Sequence, residues 1–117
     1  MNKAQQIIQK YDLHSDDYVL NSDPEMSPMM FIQKKYLPHV GEGWYGMDGL
    51  GDNLPLVWYK VLDEFLQYVK DDYPDFEIQQ IKVKYGGIRI YLGKVPPHID
   101  NECQELSEAL YSHDLVY

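Results

Sequence analysis

Lys82, Lys84, Arg89 and Tyr91 are the residues whose types and spacing point most directly to chemistry. They fall at every second position of two short strands in QIKVKYGGIRIYLG, residues 80–93, and folding these into a hairpin at Gly86-Gly87 brings all four to one face. Ile81, Val83, Tyr85, Ile88, Ile90 and Leu92 take the other. Three cations on one strand face suit an anionic small molecule, a nucleotide or an acidic partner. Trp44 and Tyr45, inside the glycine-rich stretch HVGEGWYGMDGLG, could line such a pocket. The rival expectation is internal: the chain's own carboxylates pack nearby and neutralise the three cations.

Carboxylates form the second set. Asp63, Glu64, Asp71 and Asp72 flank one predicted helix, and Glu102, Glu105 and Glu108 recur on the outer face of another. Such a flank suits capture of a basic protein, because complementary charge speeds encounter. Catalysis has little to build on. His14, His39, His98 and His113 show no metal-binding helix spacing, and there is no P-loop, GxSxG or GxGxxG. Cys103 is a lone cysteine on an apolar helix stripe, so neither a disulfide nor a thiolate metal site is expected. The expectation is a chain that is not an enzyme, with no metal and no cofactor.

The elements that must position these residues follow from periodicity. Residues 2–11 fit a short helix with Ala4, Ile7, Ile8 and Tyr11 on one stripe. Tyr18, Val19 and Leu20 form an isolated apolar triplet, either an edge strand or a loop anchor. Ser27-Pro28 reads as a helix start, a capping hydroxyl followed by proline at the first helical position, and Pro38 ends that helix. Ser22 with Glu25 is the rival start, but it would bury Pro28 inside the helix. Residues 39–51 carry five of the eight glycines and read as a loop.

The clearest helix comes next, with Asn53 as cap and Pro55 in the first turn. Leu54, Val57, Trp58, Val61, Leu62, Phe65, Leu66 and Val69 keep helical spacing until Pro74 stops it. Phe76–Tyr85 and Ile88–Leu92 are hairpin strands, with Gly86-Gly87 as the turn. That register places Arg89 opposite Lys84 and Tyr85 opposite Ile88. The alternation changes phase at Gln79-Gln80, which predicts a bulge. Asp100 is the expected cap of a last helix with Cys103, Leu106 and Leu110 inward.

At 117 residues the chain is expected to be one domain, residues 1–117. The expected fold is α+β: a hairpin or small antiparallel sheet packed on a long amphipathic helix, with further short helices. Nineteen Asp and Glu against ten Lys and Arg give a net charge of −9, which disfavours direct contact with nucleic acid or anionic membranes. No stretch reaches the length of a membrane span, and the start lacks the apolar run of a signal peptide, so the cytoplasm is the expected compartment.

GEGWYG, followed some 30 residues later by QIKVKYGGIRIYLG, resembles a family of small bacterial and phage proteins with a GDGWY-like loop, a helix, and a motif close to QVKEKFGGLRFY. The likeness spans roughly residues 41–110. Gln80, Lys82, Lys84, Gly86, Gly87, Arg89 and Tyr91 all correspond. Many members end in a cysteine pair, where this chain has YSHDLVY, so a metal or redox role of that tail does not carry over. The resemblance implies no particular activity. Small size, acidity and many tyrosines favour an immunity or inhibitor protein that neutralises a basic toxin or nuclease. The second expectation is a phage-type accessory domain that binds an anion at the basic hairpin face.

Overall fold

The computed structural model describes residues 1–13, 27–41, 46–49 and 54–111. Within the described residues, four helices and a three-stranded mixed sheet make an α+β fold with extents of 33 × 32 × 27 Å. The helices are α1 (Lys3–Lys10), α2 (Pro28–Tyr36), α3 (Leu56–Asp72) and α4 (Pro97–Ala109), and a single 3-10 turn follows α2. The strands are β1 (Gly46–Gly49), β2 (Glu77–Lys84) and β3 (Gly87–Gly93), in spatial order β1-β2-β3.

Local chemistry sets most boundaries. Asn2 caps α1 reciprocally with Gln5, each side chain bonding the other's backbone N–H. Ser27 Oγ accepts from the Met30 N–H at 3.1 Å, so α2 starts where the Ser-Pro pair predicts. Ser22 and Glu25, like Tyr18, Val19 and Leu20, lie outside the described residues. Asn53 lies outside them too, and Pro55 itself is the N-cap of α3. Asp100 is not a cap: α4 begins three residues earlier with Pro97 at its first position, leaving Asp100 in the first turn, where the helix dipole favours a carboxylate.

The core is α3 against the apolar face of the sheet. All eight stripe residues from Leu54 to Val69 are buried, in one cluster with Ile78, Ile81, Ile88, Ile90 and Leu92. The same cluster takes in Ala4 and Ile7 of α1 and Ile99, Cys103 and Leu106 of α4.

Three expectations about the sheet need correction. Gly46–Gly49 is a strand rather than loop, and it pairs parallel to β2, so the sheet is mixed and not antiparallel. Parallel neighbours need a crossover, and α3 supplies it. Glycines hide this strand in the sequence, yet Gly46 is required: its φ is +58°, and a Cβ there would lie 2.9 Å from Val40 Cγ1. The hairpin turn is Tyr85-Gly86, with φ values of 55° and 80°, so Lys84 pairs with Gly87 and Arg89 stands opposite Lys82. The shift moves each partner by two places, which preserves every face assignment within the strands. Tyr85 leaves the apolar face for the turn. The bulge falls between Ile78 and Gln80 as the phase change predicts.

Candidate functional site

Two charged regions emerge, and they are built in opposite ways. In the first, carboxylates hold helices together. Glu102 is only 2% exposed. Its Oε1 accepts from the backbone N–H groups of Lys3 (2.9 Å) and Ala4 (3.3 Å), and its Oε2 from the Tyr68 hydroxyl (3.1 Å). Those two N–H groups are orphan donors of the first turn of α1, and a carboxylate there also meets the positive end of the helix dipole. Burial, and then the charge and hydrogen bond of Glu102, push the Tyr68 hydroxyl up to about 12.

Asp63 is similarly withdrawn. Its Oδ1 accepts from Lys35 Nζ at 2.8 Å and from the buried Tyr36 hydroxyl at 2.7 Å. Burial foremost, then Asp63, raises the Tyr36 hydroxyl far above its ordinary range. Glu64 accepts from Lys10 at 2.7 Å and from the Tyr11 hydroxyl. Burial alone would raise Glu64, but these bonds and the charges of Lys10 and Lys60 outweigh it and hold the carboxyl below its usual range.

Of the seven carboxylates expected on a partner surface, Asp63 and Glu102 are therefore internal, and Glu64 is committed to α1. The expectation of an outward Glu102 fails because α4 is covered on two sides, by the sheet and by α1. Asp71, Asp72 and Glu108 are exposed and Glu105 is half-buried, where it accepts from Asn2 Nδ2 at 2.9 Å. The two acidic segments, which the sequence presents separately, meet at the Tyr68–Glu102 bond. A groove of about 320 Å³ runs beside it, lined by Lys3, Lys10, Glu64, Gln67, Tyr68, Asp71 and Asp72.

The second region is the polar face of the hairpin. Lys84, Arg89 and Tyr91 are exposed and Lys82 is half-buried. Among the described residues none of the three cations has a carboxylate within 4.0 Å, so the expected internal neutralisation does not occur as ion pairing. Lys82 and Arg89 are direct cross-strand neighbours, a like-charge pairing that costs stability. Lys82 lies 6.0 Å from the Tyr91 ring centre and Lys84 lies 5.3 Å from that of Tyr85. Trp44 and Tyr45 fall outside the described residues.

The wall of this face is α4, which runs along the outer edge of β3. Ile88 N–H donates to Leu110 O at 3.3 Å, and Gly87 bridges to Tyr111. Two grooves lie along the seam. One, of about 400 Å³, is lined by Lys84, Tyr85, Gly87, Arg89, Gln104, Ser107, Glu108 and Tyr111. The other, of about 450 Å³, shares Arg89, Gln104 and Ser107 with it and adds Tyr91, Gln79 and Asp100. Cys103 borders this second groove but is buried, and burial first, then Asp100 and Glu102, pushes its thiol up to about 12, so it stays protonated at neutral pH.

No protein-family model, curated protein or solved structure matches this chain. Among the described residues no three His, Cys, Asp or Glu side chains are grouped to hold a metal ion, and no helix is long and apolar enough to cross a membrane.

Sequence reasoning missed Tyr85, Gln104, Ser107 and Tyr111 as neighbours of the cations. Only Tyr85 carried a sequence clue. It sits one place before Gly-Gly, where a two-residue turn can start, and a ring in the left-handed region costs about 1–2 kcal/mol. That side chain is nevertheless 71% exposed, so packing does not offset the cost.

Proposed function

We propose that this chain is a small acidic binding protein of the immunity or inhibitor type, which captures a basic protein such as a toxin or nuclease. One observation carries the reading: α3 and α4 bring two acidic segments together around the start of α1, and the buried members brace the scaffold. Asp71 and Asp72 then line the groove from α3, and Glu105 stands on α4, held by Asn2 at the start of α1. A net charge of −9 supplies the long-range attraction. The same two sequence motifs support kinship with the small bacterial and phage family.

Affinity capture followed by mass spectrometry tests this directly. The wild-type chain should retain a basic protein and inhibit it, with association slowing as salt is raised. Reversing Asp71, Asp72 and Glu105 to lysine should slow association at least about tenfold. Retention that is unchanged by all three reversals would rule out this surface.

A further inference from the structure

We propose that the seam between β3 and α4 binds a nucleoside phosphate, with Lys84 and Arg89 on the phosphate and the Tyr85 ring against the base. This site is distinct from the acidic zone and needs no protein partner.

Charge comes first. Lys84 and Arg89 line one groove, both exposed and without a carboxylate within 4.0 Å among the described residues. In a chain of net charge −9, what sets this face apart is that its cations are gathered on one side of a hairpin, where together they can hold an external anion. The remaining lining narrows the ligand class. A bare anion would be repelled by Glu108, which borders the same groove. A ribose would not, because its hydroxyls donate to a carboxylate, and Gln104 and Ser107 add polar contacts along α4. The groove volume, about 400 Å³, lies within the range of small-ligand sites.

Tyr85 is the independent observation. Its φ of 55° occupies the first slot of a turn that glycine or asparagine fills with less strain, and the following Gly86 already supplies the second. The ring is 71% exposed and borders the groove beside Lys84. A strained residue that gains nothing from burial points to use outside the fold. Stacking on a flat base is what an exposed tyrosine ring beside a cation pair offers, and it tolerates any base.

The two roles of Tyr85 give a test with opposite signs. Thermal denaturation and calorimetric titration of the full chain would use AMP, GMP, CMP and UMP, their triphosphates, and inorganic phosphate at matched ionic strength. Wild type should gain several degrees in Tm with at least one nucleotide at millimolar concentration, and much less with inorganic phosphate. Tyr85→Asn creates an Asn-Gly turn, so the free variant should melt higher than wild type while its nucleotide affinity falls about tenfold. Lys84→Ala with Arg89→Ala should lose at least tenfold without a lower Tm. The proposal is overturned if no nucleotide shifts the wild-type Tm, if inorganic phosphate matches the nucleotides, or if Tyr85→Asn binds as tightly as wild type.

Discussion

The acidic junction and the basic sheet face carry opposite charge, but their deeper difference is in what their charges do. At the junction, Glu102, Asp63 and Glu64 are spent on the fold: each closes hydrogen bonds between helices. On the sheet face, Lys82, Lys84 and Arg89 close none with a carboxylate among the described residues and stand close enough to repel. A buried charge survives only when satisfied, whereas an exposed one is cheap to leave open. Acidity in this chain is thus partly architecture, whereas its sparse basic patch takes no carboxylate partner among the described residues.

The largest test of that contrast is Glu102→Ala. It leaves the buried Ala4 N–H and the part-buried Lys3 N–H and Tyr68 hydroxyl without their acceptor, so urea unfolding should show a loss of about 3 kcal/mol. A loss under about 1 kcal/mol would mean that water or a neighbour replaces the carboxylate, and the contrast between the regions would collapse.

A smaller effect should follow from pH. Glu64 is held below its ordinary value near 4.5, so its stabilisation is complete at neutral pH and is lost as pH falls through the lower folded value. At the alkaline end Tyr68, raised from 10.0 to about 12, favours its protonated form in the fold. Its contribution is intact below pH 10 and disappears as pH rises toward 12. Stability measured against pH should therefore fall at both ends. Glu64→Gln should flatten the acid limb, and Tyr68→Phe should shallow the alkaline one, to which the raised Tyr36 also contributes. An acid limb unchanged by Glu64→Gln would show that other carboxylates govern it.

The smallest effect is expected on the sheet. Arg89→Ala or Lys82→Ala should change stability by no more than about 0.5 kcal/mol, with a bias toward gain because a like-charge pair is relieved. A loss above 1 kcal/mol from either would reveal structural pairing on that face and erase its difference from the acidic junction.

Much of the scaffold was legible beforehand, for reasons that lie in particular residues. Ser27-Pro28 announced α2 because capping is a contact within one turn. The stripe of α3 named its own buried face, and the phase slip at Gln79-Gln80 located the bulge. β1 was not legible, since Gly46 and Gly49 carry no strand preference and the strand exists only through pairing with Gln80 and Lys82. At the sites, the four hairpin residues were identified, but their groove was not: Gln104 and Ser107 reach it from a helix whose stripe revealed one buried face and not what lay along its others.

By itself the sequence determined which residues share a face. Side-chain alternation and helical periodicity are local, so even a misplaced hairpin turn left Lys82, Arg89 and Tyr91 together. Only the tertiary structure decided which charges are paired. Glu102 and Glu108 look alike along α4, yet one is sealed beneath α1 and the other borders an open groove. Pairing depends on what a distant segment brings within a few ångströms, and no short-range pattern encodes that distance.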